Sequence, residues 1–434
     1  MGAARRLTMA TDRVVPNVTC LGCGCACDDI EAVTRGGRIV EARNACPLGV
    51  EWFGDGVVPQ QVSIAGRSVS LDEAVVAAAH MLSRAVSPLV YLAPDVSWET
   101  QREAVALADD LGGALDSVTS ATALASLLAA QERGRASATL GEVRNRADVI
   151  VFWGVDPGRR YPRFASRYAP EPAGLFIADG RRSRTVIAID IDDRDHSRGP
   201  ADADGRIALT SADEVAMLTA LTAIVSAPAA AGRRDGLWDR AHDLASALTS
   251  AKYVAIVVDG ERADVIDGRC DLSRAGALIA FAQALNGRTR CALSTLRDGG
   301  NRSGADAVLT WQTGYPVAVD FAHGYPRYRP YDGTARARLG RGEVDAVLVI
   351  GAVSRVPSDL TSMMARIQSV VIGPRASESV FAARGIVIDT GVAGIHEEGT
   401  ALRMDDVPLP LRAVLDGVRG ASTITRTVRE AIRR

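Results

Sequence analysis

The residues best suited to chemistry lie near the start of the sequence. Cys20, Cys23 and Cys27 follow a C-x2-C-x3-C spacing, Cys46 comes after eighteen more residues, and Cys25 is a fifth thiol in the same stretch. Thiolates are soft ligands. A compact run of three with one distant fourth suits a cubane [4Fe–4S] cluster, wrapped on one face by a tight loop and closed from beyond a hairpin. Gly22 and Gly24 let that loop bend around an inorganic core. Structural zinc is the competing use of the same residues. Tetrahedral zinc sites pair two short spacings, and only Cys20/Cys23 forms one here. A loop that no longer holds metal is the third reading. Scattered core thiols do not explain the pattern, since only Cys270 and Cys291 lie elsewhere. A disulfide framework is not expected in a long chain without an export signal.

The elements around this segment follow from hydrophobic pattern. Ile30 and Ala32, then Arg35-Gly36-Gly37-Arg38, then Ile39 to Ala42 read as two short strands joined by a Gly-Gly turn. Ser70-x-x-Glu73 is a capping box opening a helix through Val75, Ala79 and Leu82. Short apolar runs at 88–93, 148–154, 185–189, 207–209, 252–258, 346–350, 370–372 and 386–388 read as strands. Helical stretches at 101–111 and 213–225 lie among them, and Ser226–Arg234 reads as a surface loop. This alternation predicts a doubly wound α/β architecture, in which ligands collect beyond the carboxyl ends of the strands. Three such ends stand out: Gly154-Val155-Asp156-Pro157, Asp190-Ile191-Asp192 and Gly351-Ala352-Val353-Ser354. Each is equally the mark of a turn. No Gly-x-Gly-x-x-Gly phosphate loop accompanies them, which weakens a nucleotide-binding reading with structural zinc.

Composition narrows the rest. The 434 residues carry a net charge of −2, so no field favours nucleic acid or an anionic membrane. Lys252 is the only lysine, and arginine is spread along the chain, which does not mark a phosphate site. The absence of an apolar leader and of a run of about twenty apolar residues gives the cytoplasm, without membrane anchoring, as the expectation. The histidines stand apart at His80, His196, His242, His323 and His396, so no histidine-rich hydrolase centre is expected. Glu397-Glu398 and Asp405-Asp406 read as solvated carboxylates and not as acid/base pairs.

Longer strings carry a resemblance. Thr139-Leu-Gly-Glu-Val-Arg-Asn-Arg-Ala-Asp-Val-Ile150, Leu309-Thr-Trp-Gln-Thr-Gly-Tyr-Pro316 and Gly394-Ile-His-Glu-Glu-Gly-Thr-Ala-Leu-Arg-Met-Asp405 resemble the B subunit of formylmethanofuran dehydrogenases. The resemblance runs from about Cys20 to about Leu411. It implies Rossmann-like α/β domains of the molybdopterin-oxidoreductase type behind a small cysteine domain. The implied boundaries are a cysteine domain at 1–57, a first α/β domain split between 58–115 and 325–434, and a second at 116–324. It also implies a [4Fe–4S] cluster on Cys20, Cys23, Cys27 and Cys46 that passes electrons to a molybdenum or tungsten bis-pterin. That metal takes a protein cysteine or selenocysteine followed by histidine.

Here the sequence departs from the family. The corresponding segment, Asp116-Ser-Val-Thr-Ser-Ala-Thr-Ala-Leu124, has neither cysteine nor histidine, and Thr119 stands nearest the ligand position. A threonine hydroxyl is a hard, neutral oxygen and a poor substitute for a thiolate. Asp156 replaces an expected Asn, Gly351–Ser354 replaces a Gly-x-Asp-Pro, and Arg329-Pro330-Tyr331-Asp332 replaces an Asn-Pro-Gly-Glu. These losses match the family variant in bacterial formyltransferase/hydrolase complexes. The expectation is therefore a non-redox scaffold without the Mo/W bis-pterin and with a structural [4Fe–4S] cluster. Its partners would be an amidohydrolase-like A subunit, a C subunit and a formyltransferase D subunit. The alternative is an active dehydrogenase subunit with a non-cysteine ligand.

Overall fold

The computed structural model describes residues 12–194, 197–227, 236–261 and 272–434. Arg5, Arg6, His196, Cys270 and nearly all of the loop expected at Ser226–Arg234 lie outside the described residues.

The chain opens with an antiparallel sheet of β1 (Arg13–Val18), β2 (Ile30–Arg35) and β3 (Arg38–Arg43). Arg35 pairs with Arg38, so Gly36 and Gly37 form the expected two-residue turn, with φ of +58° and +76° that only glycine adopts without cost. Helix α1 (Pro47–Phe53) starts directly after Cys46. The chain then runs through β4 (Val62–Ile64), β5 (Arg67–Ser68), α2 (Leu71–Ser83), β6 (Pro88–Leu92), α3 (Trp98–Leu111) and β7 (Ala114–Ser117). Ser70 Oγ caps α2 by accepting from the Glu73 amide at 3.1 Å. The return half of the capping box is not made, because the Glu73 carboxylate pairs with Arg67 at 2.7 Å.

The next strands are β8 (Val149–Trp153), β9 (Thr185–Ile191), β10 (Gly205–Leu209), β11 (Tyr253–Asp259) and β12 (Arg290–Leu296). The last are β13 (Val319–Asp320), β14 (Arg327–Tyr328), β15 (Ala346–Ile350), β16 (Gln368–Gly373), β17 (Ile386–Asp389), β18 (Gly399–Leu402) and β19 (Pro408–Leu411). A closing helix covers Ala421–Ile432.

The described residues divide into two compact units. The first holds the chain up to Ser120, Gly299–Arg403 and Pro408–Arg434; the second holds Ala121–Asp298 and Met404–Val407. The cysteine segment groups with the first unit, and the chain returns to that unit at Gly299.

The second unit contains one parallel sheet ordered β10-β9-β8-β11-β12. Its order reverses between β8 and β11, as in doubly wound sheets. The first unit contains a nine-stranded sheet ordered β14-β13-β7-β6-β15-β16-β17-β4-β5. Only the run from β7 to β17 is parallel, and it reverses between β6 and β15. The antiparallel flanks β13/β14 and β4/β5 were not foreseen from sequence; they are two or three residues long, too short to show a period. β6, β8 and β15 are buried at every position, as strands covered on both faces must be. One core packs Val90, Leu92, Leu348, Ile350 and Ile372 against helical side chains such as Leu82, Leu107 and Val428. The other packs Val151, Trp153, Ile189 and Ile256 against Leu218, Leu244 and Phe281. Among the described residues no helix is long and apolar enough to cross a membrane.

His396 ties the end of the cysteine segment to the rest of the first unit. It is 8% exposed; Nε2–H donates to the Gly56 carbonyl at 2.7 Å and Nδ1 accepts from the Val392 amide at 3.1 Å. The Nδ1 acceptor bond requires the neutral ring, and burial lowers its pKa from the usual 6.5, against the Gly56 carbonyl, which favours the charged form. The unfolded chain therefore takes up this proton first. The His396 contribution is intact above the unfolded pKa and is lost as pH falls below it. Thermal melts from pH 7.5 to 5 should show a steeper acid-side decline in the wild type than in His396→Gln, and parallel declines would exclude the assignment.

Candidate functional site

The cysteine loop is shaped by backbone closure before any metal is considered. The Cys20 amide donates to the Cys27 carbonyl at 2.9 Å and the Ala26 amide to the Cys23 carbonyl at 3.1 Å. Cys20, Cys23, Cys25 and Cys27 are buried and Cys46 is half-buried. The Gly22 amide donates to Cys20 Sγ at 3.4 Å. Burial pushes the Cys20 thiol up, and the neighbouring Cys23, Cys27 and Cys46 add to the effect against the opposing Gly22 amide. Cys23, Cys27 and Cys46 thus lie close enough to Cys20 to act on its thiol. Two glycines pack beside the loop. A Cβ on Gly49 would lie 3.4 Å from Cys20 Sγ and 4.0 Å from Cys46 Sγ, and one on Gly22 would lie 2.9 Å from the Leu48 carbonyl. Among the described residues no three His, Cys, Asp or Glu side chains converge into a ready-made site for a metal ion.

This loop abuts the sheet of the first unit. The Gly300 amide donates to the Leu21 carbonyl at 2.9 Å, and Gly299 and Gly300 lie too close to the Gly22 and Pro94 carbonyls to accept a side chain. Pro94 follows β6, at the point where the strand order reverses.

Strand tips here end on the chain's own carboxylates. At the β6/β15 reversal, buried Asp95 accepts from the Ala352 amide at 2.9 and 3.2 Å. Gly351, at φ +106°, leaves the space, since a Cβ there would lie 2.9 Å from Asp95 Oδ1. Burial raises the Asp95 pKa, against the Ala352 bond. Beside it, fully buried Asp116 accepts from the amides of Ser117 (2.9 Å), Ala318 (3.2 Å) and Ala335 (2.6 Å) and from Ser120 Oγ (2.6 Å). Its pKa too is raised by burial, with these donors opposing. Thr119, the residue at the expected metal-ligand position, is buried, and its amide bonds Ser117 Oγ at 3.3 Å. Ser354 is exposed. Asp389, at the end of β17, accepts from the amides of Gln61 and Ser377, both at 2.9 Å.

In the second unit, the reversal between β8 and β11 is spanned by Arg160, which pairs with Asp259 at the tip of β11 and with Asp298 just beyond β12. Glu261 is buried against Arg297 at 2.5 Å, and fully buried Tyr161 lies near the same charges. Asp156 turns back to cap its own short helix through the Gly158 amide at 2.9 Å. Asp190 accepts from Arg206 at 2.5 Å and from the Gly199 amide at 2.8 Å. A cleft of about 280 Å³ does exist in the first unit, but Glu99, Arg102, Glu103, Gln312, Arg426 and Arg429 line it, not the expected tip residues.

Of the paired carboxylates, Glu398 is exposed and the other three have local partners. Glu397 caps the closing helix by accepting from the Ala421 and Ser422 amides, both at 3.0 Å. Asp405 holds the Leu140 amide at 2.6 Å, and Asp406 pairs with Arg135 at 3.2 Å. His80 is exposed, and His323 lies 3.1 Å from Arg327 on the surface. Sequence reasoning missed Asp95, Asp116, Arg160 and Asp259. Their only signal is an aspartate or arginine beside the end of an apolar run, which loops share.

No protein-family model matches the sequence. The chain is 33% identical over 425 residues to the B subunit of tungsten-containing formylmethanofuran dehydrogenase 2 of Methanocaldococcus jannaschii, covering 94% of this chain and 95% of that one. The counterpart in Methanococcus maripaludis is 31% identical over 426 residues, with the same coverage. The B subunit of the formyltransferase/hydrolase complex Fhc of Methylorubrum extorquens is 27% identical over 335 residues, 76% of this chain and 85% of that one. Among solved structures, a chain of that FhcABCD complex, crystallised with methylofuran, superposes with a TM-score of 0.71 at 24% identity, covering 86% of this chain and 98% of that one.

Asp116 offers a direct test of the tip geometry. Asp116→Asn places an NH2 group against amides that need an acceptor, which should cost about 2–3 kcal/mol. Chemical denaturation reads this out, and an unchanged midpoint would contradict the described network.

Proposed function

The chain belongs to the family of formylmethanofuran dehydrogenase B subunits, and from that premise we propose that it is the non-redox B subunit of a cytoplasmic formyltransferase/hydrolase complex. In this reading the complex moves a formyl group from a pterin carrier to a furan carrier and releases it as formate. Catalysis resides in an amidohydrolase-like A subunit and a formyltransferase D subunit, and this chain, with a C subunit, holds them in place. The observation that carries the reading is the residue set at the strand tips. A molybdenum or tungsten pterin needs a soft protein ligand and donors for its phosphates. This chain offers a threonine hydroxyl at residue 119 and carboxylates at Asp95, Asp116 and Asp190. These residues do not fit that cofactor, and no redox step is assigned to the chain. The structural likeness to the FhcABCD chain bears on the fold, which the Rossmann-like molybdopterin type would explain.

The cysteines do fit an iron–sulfur cluster. Cys20, Cys23, Cys27 and Cys46 would hold it, with Gly22 and Gly49 packed beside Cys20 Sγ. A cubane spreads its four ligands over four irons, so it asks less convergence of any three sulfurs than one ion does. Such a cluster would supply cross-linking to a segment with little core of its own. The higher identity to the tungsten enzymes favours one second reading, an active dehydrogenase subunit with an oxygen ligand.

Metal analysis of the purified complex separates the two. The scaffold reading expects no tungsten, molybdenum or pterin, and stoichiometric amounts of either metal with pterin, together with dye-linked oxidation of a formyl-furan substrate, would replace it with the second. The cluster reading expects roughly four irons per chain, and lower iron content and melting temperature in Cys23→Ser; iron and melting that do not change would sink it.

A further inference from the structure

We infer that the cleft in the first unit, between α3, the helix Arg302–Thr313 and the closing helix, binds a small molecule from solution that carries two oxyanion groups, carboxylate or phosphate. The inference stands apart from the scaffold role and concerns a site away from the strand tips.

The cleft holds about 280 Å³, at the lower end of the range for small-molecule pockets. Three arginines, two glutamates and Gln312 supply its polar lining. What decides its chemistry is which of these groups are already spent. Glu99 is bonded to β18: Oε2 accepts from the Thr400 amide at 3.0 Å and Oε1 from the Thr400 hydroxyl at 3.3 Å. Gly399 makes this approach possible, since a Cβ there would collide with the Glu99 carboxylate. Glu103 is divided between the other two cations. Its Oε1 accepts from Arg426 Nε at 2.9 Å and its Oε2 from Arg429 Nη1 at 2.6 Å. Arg429 Nε goes on to Asp110 at 3.0 Å, and Asp110 also takes Arg433 at 2.7 Å.

Every carboxylate oxygen in the lining therefore already accepts a hydrogen bond, while donors are left over. An arginine on a helix finds its acid three or four residues away. Around Arg102 those positions hold Trp98, Glu99, Val105 and Ala106, and Glu99, the one acid, is spent on Thr400. Exposed Arg102 and Gln312 make no hydrogen bond or ion pair among the described residues. Arg426 bonds only through Nε, and Arg429 keeps Nη2. The lining sets three guanidinium groups against two carboxylates, and the exposed Asp109 and Glu430 lie outside it. Open donors thus come from α3 and Gln312 on one side and from the closing helix on the other. Planar guanidinium forks match carboxylate and phosphate oxygens alike. A ligand with two such groups answers both sets of donors, and a volume of roughly nine waters suits a small one.

Isothermal titration of the full chain with sodium pyrophosphate and with sodium succinate, each at an ionic strength matched with sodium chloride, tests this. At least one of the two should bind saturably at one site per chain, and the preferred one tells phosphate from carboxylate. Arg102→Gln should weaken that binding by on the order of tenfold. The melting temperature of the ligand-free variant should equal that of the wild type, because Arg102 holds nothing in the unliganded fold. Arg433→Gln removes a cation of the same ion-pair ladder outside the cleft and should leave the affinity unchanged. The inference is overturned if neither anion binds saturably, if Arg102→Gln binds as the wild type does, or if Arg433→Gln loses as much affinity as Arg102→Gln.

Discussion

The structure depends on how the backbone amides beyond the carboxyl ends of its parallel strands are satisfied. A doubly wound sheet leaves such amides in the loops after its strands, and a bound anion is the common acceptor. Here aspartates of the chain take that place. Asp95 holds Ala352, Asp116 holds Ser117, Ala318 and Ala335, Asp190 holds Gly199, and Asp389 holds Gln61 and Ser377. Each carboxylate is nearly or fully buried. Such groups are tolerated only because several donors converge on them, and the loops are then locked as firmly as the strands.

Much of the framework was legible because parallel strands buried on both faces have a simple signature. The runs at 88–92, 149–153 and 346–350 are apolar at every position and appear as strands within a residue of where the pattern puts them. β12 escaped, since Cys291 to Thr295 mixes thiol, alanine and hydroxyl residues that carry no period, although Cys291 and Leu293 pack into the core. The Gly36-Gly37 hairpin was legible for the opposite reason: two successive positive φ angles leave glycine as the economical choice. The sites were harder. Asp116 and Arg160 act through partners about two hundred and a hundred or more residues away, Ala318 and Asp259 among them. No local window holds that information. Asp156, read from sequence as standing in place of a family Asn, caps its own turn, where Pro157 brings the Gly158 amide back to it.

The cysteine segment poses a different physical problem. Its three-stranded sheet buries few large side chains of its own, Ile30, Val33 and Ile39 among them. It gains support from neighbours instead, through Thr19 to the Pro410 carbonyl at 2.8 Å, Gly300 to Leu21, and His396 to Gly56. A metal cross-link would add to these docking contacts without replacing them. Under the proposed scaffold role, the four cysteines could serve as a staple for the segment without passing electrons.

Overall identity and retained chemistry measure different things. The 33% identity to a tungsten enzyme is spread over 425 residues, most of them strands, helices and packing surfaces under the same constraints whatever the sheet carries. Gripping a heavy metal depends on one soft side chain and a few uncharged donors. Under the proposed scaffold role, a handful of residues such as Thr119 and the buried carboxylates at the strand tips could settle what the sheet holds while leaving overall identity almost unchanged. Relatedness therefore fixes the architecture of this chain, and the side chains at the strand tips decide what that architecture can hold. A sheet whose tips are closed by its own aspartates keeps its outer surface as the part free to evolve.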